Sequence, residues 1–88
     1  MYTFGKTRYI NGTLDHAVAN VNGYYPTRDE ALADARSWAK YWKYHYAVAP
    51  DVAHASYMET TQGATILVEL KDGRNILTYF EIAKEVEL

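Results

Sequence analysis

Apolar residues in this chain recur with two different periods. From residue 26 to residue 50 the stretch "PTRDEALADARSWAKYWKYHYAVAP" carries the helical one. At about 100° per residue, Ala31, Ala35, Ala39, Trp42, Tyr46 and Ala49 share one face, with Leu32 and Trp38 at its edges. Thr27 and Glu30 form a T-x-x-E capping box, and Asp29, Glu30 and Asp34 crowd the first turns while Arg36, Lys40 and Lys43 follow, an order that suits the helix dipole. Pro50 forbids continuation. The pattern predicts one amphipathic helix over about residues 28–47. Its Ala row allows close approach to a sheet, with Trp42 and Tyr46 filling the far end.

After Pro50 the period changes to that of strands. Residues 53–61, 64–70 and 75–80 alternate, the last two richest in β-branched and aromatic residues. Between them lies "KDGR", read as a two-residue hairpin turn on Asp72-Gly73. That turn pairs Lys71 with Arg74, Val68 with Leu77 and Ile66 with Tyr79. It gathers Ile66, Val68, Leu70, Leu77 and Tyr79 on the face assigned to the helix. The tail "EIAKEVEL" fits either a continued strand or a short helix.

At the N-terminus "YTFGKTRYI" reads as a strand, with turn signals at Asn11-Gly12 and Asn22-Gly23. Between these, "TLDHAVANV" has a helical spacing of Leu14, Ala17, Val18 and Val21, but also fits a strand pairing Arg8 with Asp15. Two tight turns flanking about nine residues favour the strand. The expected architecture is α+β: one domain over residues 1–88, an antiparallel sheet of four to five strands, and one long helix packed on one face.

Composition narrows the functional classes. The chain has 88 residues, no Cys, and a formal charge of −2. No disulfide or thiolate metal site can hold it together, and the charge argues against a polyanion mimic or a broadly basic nucleic-acid binder. No apolar run reaches the length of a membrane span and the start lacks a signal-peptide layout, so we expect a cytoplasmic protein with no membrane contact. His16, His45 and His54 match no metal-ligand spacing, Ser37 and Ser56 lack a nucleophile's setting, and the glycines fall at turns instead of forming a phosphate loop. We therefore expect no enzymatic activity and no cofactor. The layout of "NGYYPTRDEALADA" resembles that of many short phage-encoded proteins and assigns no residue a role.

The aromatic fraction of 15%, mostly Tyr, exceeds what one small core absorbs. In "WAKYWKYHY" (38–46) a helix cannot bury adjacent aromatics that point to opposite sides. Arg36, Lys40 and Lys43 stand at i, i+4 and i+7 with Tyr44 on the outer face; Tyr41 lies on the flank opposite Lys43. Tyr beside Lys or Arg suits a protein-binding surface or stacking against unpaired bases; a solvated face balancing the dipole is the plainer explanation. The expectation is a non-enzymatic protein-binding module whose partner contacts are Arg36, Lys40, Tyr41, Lys43 and Tyr44. One setting is a phage or mobile-element inhibitor of a host enzyme or defence complex, of the anti-CRISPR kind. The alternative is a small nucleic-acid-binding domain using the same face. The surplus of Tyr also leads us to expect a two-fold homodimer.

Overall fold

The computed structural model describes residues 1–84. The elements run β1 (Tyr2–Ile10), β2 (Thr13–Val18), α1 (Arg28–Ala47), β3 (Val52–Thr60), β4 (Gly63–Leu70) and β5 (Asn75–Lys84). The strands form one antiparallel sheet in the order β2-β1-β5-β4-β3. The first and last strands are thus neighbours near the middle, and β2 and β3 are the two edges. The helix lies across one face, over β3, β4, β5 and part of β1. The expected α+β architecture is the one observed.

The helix begins where its capping box does. Thr27 Oγ1 accepts from the Glu30 backbone N–H at 3.2 Å, and the Glu30 carboxylate accepts from the Thr27 N–H at 3.3 Å. These two bonds satisfy donors that the first turn leaves without helical partners. Ala31, Ala35 and Ala39 are fully buried, and the small Ala row brings the helix backbone close to the sheet. Beneath it the core gathers Phe4, Ala64, Ile66, Val68 and Phe80. Trp38, Trp42 and Tyr46 are half-buried against this cluster, so they seal the core's margin, whereas Trp42 and Tyr46 were expected to fill it.

The segment after Asn11-Gly12 is a strand. Asn11 and Gly12 both take positive φ (50° and 80°), the geometry of a two-residue hairpin turn. The register pairs Arg8 with His16, not with Asp15, and shifts between Arg8 and Tyr9. Asp15 is the extra residue of that irregularity, yet its carboxylate still accepts from Arg8 Nε at 2.8 Å. Beyond β2 the chain keeps to the same side of β1, with the Val21 N–H donating to the Phe4 carbonyl and Tyr25 bridging Tyr2.

The β4–β5 turn departs from the expected one. Glu69 pairs with Asn75, and the Leu70 N–H donates to the Arg74 carbonyl, so the loop has three residues, Lys71, Asp72 and Gly73. Gly73 occupies the left-handed region at φ 93°, as the last residue of a three-residue hairpin loop commonly does. One extra loop residue slips the register by one, and a one-residue slip turns every side chain of the strand over. Val68 now faces Ile76 and Ile66 faces Thr78. Ile76, Phe80 and Ile82 therefore pack towards the helix, while Leu77 and Tyr79 line the open face. β5 runs on to Lys84, so the first part of "EIAKEVEL" is strand; residues 85–88 lie outside the described range.

Candidate protein-binding surface

The outer surface of α1 has two flanks with a summit between them. The basic flank overhangs the β3 edge. Here Arg36 donates from Nε to the Gly63 carbonyl at 3.2 Å and from Nη2 to the Thr60 carbonyl at 2.8 Å, while Arg28, two turns earlier, donates to the Thr61 carbonyl at 2.6 Å. Both arginines are occupied in fastening the β3–β4 turn to the helix. Lys40 is exposed, and its Nζ lies 5.6 Å from the centroid of the Tyr57 ring on β3. Lys43 is half-buried one turn further on. Of the three cations of the sequence stripe, Lys40 and Lys43 have no carboxylate partner among the described residues, whereas Arg36 Nε lies 4.0 Å from the Glu59 carboxylate.

Tyr44 stands at the summit, 64% exposed, and Tyr41 on the other flank is 55% exposed. Tyr41 belongs to a run of touching rings. Its centroid lies 4.3 Å from His45, 6.0 Å from Trp42 and 6.2 Å from Trp38, and His45 lies 5.9 Å from Tyr44. Edge-to-face contact is a favoured arrangement for neighbouring rings. The five predicted contact residues therefore share the helix exterior without forming one stripe: Arg36, Lys40 and Lys43 lie towards β3, Tyr41 lies towards β1, and Tyr44 separates them.

Below the aromatic flank, Lys6 on β1 places its ammonium 4.3 Å from the Trp42 ring centroid. Burial, and then the neighbouring Arg8, hold the Lys6 pKa below the usual lysine value. Arg8 and His16 converge on the Asp15 carboxylate, at 2.5 Å from Arg8 Nη2 and 3.3 Å from His16 Nδ1. The hydrogen bond from Arg8 is the main cause of Asp15's lowered pKa. Lys6 and Arg8 are thus already engaged, by a ring and by a carboxylate. Near the helix start, a shallow depression is lined by Asp34, Ser37, Trp38 and Tyr41, and the Tyr25 hydroxyl donates to Asp34 beside it.

A second exposed surface lies where the expected β4–β5 register would have put residues facing the helix. The register of β5 places Leu77 and Tyr79 on the open sheet face, where Tyr79 meets Tyr9 edge-on at 6.0 Å. Leu14, Met58 and Leu67 are exposed large apolar residues on the strands. The signal for this was in "KDGR": Asp-Gly suits a three-residue loop ending in glycine as well as a two-residue turn, and the choice decides which residues of β5 face water.

Among the described residues no group of three or more His, Asp or Glu side chains comes together to hold a metal ion, and no helix is long and apolar enough to cross a membrane. Compared with known proteins, the chain matches no family model, no curated protein and no solved structure.

Proposed function

We propose that this chain is a small non-enzymatic protein-binding module that acts by covering part of a partner's surface with the exterior of α1. The observation that carries this reading is the pair Tyr41 and Tyr44, both more than half exposed on a helix already anchored by its Ala row and by Trp42. Rigid aromatic rings with polar tips are among the residue types that carry most binding energy at protein interfaces. Lys40 and Lys43 would guide the approach of an acidic partner, and Arg36 would act through the turn it holds. A compact domain of this size fits a phage or mobile-element inhibitor of a host enzyme or defence complex, of the anti-CRISPR kind.

The test is affinity capture from cell lysate with the native chain and with Tyr41→Ser/Tyr44→Ser, followed by binding measurements on the captured partner. The double variant keeps its circular dichroism and loses about 2 kcal/mol or more of binding free energy. Unchanged binding would remove the outer helix face from the function. Lys40→Glu/Lys43→Glu separates protein from nucleic acid as partner. A protein partner loses affinity mainly through a slower on-rate, whereas a nucleic acid loses most of its affinity and shows a flatter salt dependence. The engagement of Arg36 leaves a phosphate-binding stripe two cations, Lys40 and Lys43, without a carboxylate partner among the described residues. The expected two-fold homodimer has a candidate seam in the open sheet face, where Tyr9, Leu77 and Tyr79 lie together. Light scattering that gives a monomer mass at high concentration removes it.

A further inference from the structure

β3 ends the sheet, and its outer row of backbone N–H and C=O groups has no partner strand among the described residues. Exposed edges of this kind are usually blunted by Lys or Pro in the strand, by shortness, or by a covering loop. β3 is nine residues long, its sequence VAHASYMET contains no Lys, Arg or Pro, and its register irregularity is confined to the Val52–His54 end. The other edge, β2, has only six residues with its irregularity at Asp15, and the chain after it stays alongside β1.

Glu59, the one carboxylate within β3, accepts from the Tyr57 hydroxyl at 2.9 Å and lies 4.0 Å from Arg36; Asp51 precedes the strand, and Glu69 on β4 pairs with His54. Lys40 reaches down to the Tyr57 ring, and Lys43 follows one turn along the helix; neither has a carboxylate partner among the described residues. An added strand would alternate its side chains between the two faces of the sheet. On the helix side they would lie beside Ala55 and Tyr57, near the Lys40 ammonium, with Lys43 one turn along the helix. On the open side they would lie beside His54, Ser56 and Met58, the last 63% exposed.

We propose that the β3 edge binds an extended acidic segment of a partner protein as a sixth strand, with carboxylates towards Lys40 and Lys43 and apolar residues towards Met58. Main-chain hydrogen bonds supply the affinity and alternate side chains the selectivity, as in other strand-addition complexes. The same lysines disfavour a second copy of this chain here, because two β3 edges paired about a two-fold would bring both lysine flanks over one seam. The inference rests on the protein-binding reading above but uses a different surface from Tyr41 and Tyr44.

The probe is a fluorescent, end-capped peptide of alternating Glu and Val, matching β3 in length. Two further versions are N-methylated on odd or on even residues, which removes one edge's donors without changing the charge. The expected results are binding by anisotropy, slowed amide exchange within Val52–Thr60, loss of binding for one N-methylated version only, and affinity at least about tenfold weaker for Lys40→Glu/Lys43→Glu. Tyr41→Ser/Tyr44→Ser leaves this affinity unchanged, so failure of the helix-face reading is seen separately. The proposal is overturned if the peptide does not bind, if both N-methylated versions bind like the parent, or if exchange slows elsewhere but not in β3. It is equally overturned if an oligothymidylate of matched charge binds more tightly, or if the protein self-associates through β3 without peptide.

Discussion

Individual side chains here divide by what their polar ends meet. Thr78 is buried on the helix side of β5, and its Oγ1 has no hydrogen-bond partner among the described residues. An unmet buried hydroxyl costs free energy that an isosteric apolar group does not, so Thr78→Val should raise stability by about 1 kcal/mol in denaturant melts. Trp42 is half-buried against the core with Lys6 over its ring. Trp42→Ala should cost about 3 kcal/mol, the low end for truncating a large aromatic, while Tyr44→Ala should cost less than about 0.5 kcal/mol. Tyr57 makes a pH-dependent contribution. Burial first, and then its hydrogen bond to Glu59, push its pKa up to about 12 from 10.0. The folded state therefore favours the neutral phenol. The associated stability is fully present below about pH 10, the value for an unfolded Tyr, and is lost as pH rises towards 12. Tyr57→Phe should abolish the highest-pH step in the phenolate absorbance titration and flatten the stability loss over that window.

The same interactions, taken element by element, show how the helix and the sheet fix each other. The β3–β4 turn is held by Arg28 and Arg36 through three backbone carbonyls, and it starts β4 at Gly63. Gly63 has φ 153°, and a Cβ there would lie 1.9 Å from the Phe80 carbonyl oxygen. Gly63→Ala should cost at least about 3 kcal/mol, because neither backbone can move away without breaking the sheet. Gly73 in the β4–β5 turn makes the contrast. Its φ is 93° but a Cβ would meet nothing within 4 Å, so Gly73→Ala carries only the conformational penalty of about 1–2 kcal/mol. Thermal or denaturant melts of the two variants separate collision from backbone preference.

For the molecule as a whole, the sheet order predicts a gradient of stability. β4 and β5 have strand neighbours on both sides and lie beneath α1. β2 is an edge strand that the helix does not cover, held by β1 and by the Arg8–Asp15 pair. Opening β2 exposes little of the core, whereas opening β4 or β5 exposes Ile66, Val68 and Phe80. Native-state hydrogen exchange should therefore be slowest in β4 and β5 and fastest among the strands in β2. Comparable protection of β2 and β4 would show that the sheet opens only as a unit.

Local rules were enough for the parts of this chain whose cause is local. The capping box at Thr27 and Glu30, the stop at Pro50, the Ala row and the Asn11-Gly12 turn depend on residues a few positions apart, and the sequence determined them, whereas for residues 13–21 it fitted helix as well as strand. It also placed Tyr41 and Tyr44 outside the core, because helical geometry alone separates adjacent aromatics. Other features depended on packing between distant segments. The length of the β4–β5 loop, which decides whether Leu77 and Tyr79 or Ile76 and Phe80 face the helix, is set by which register fills the space under α1. The pairing of β1 with β5, the burial of Phe4 and the place of β3 at the end of the described sheet follow from strand order, to which local periodicity is blind. Arg36 reads as a free surface cation along the chain, and only the tertiary fold brings the Thr60 and Gly63 carbonyls to its guanidinium.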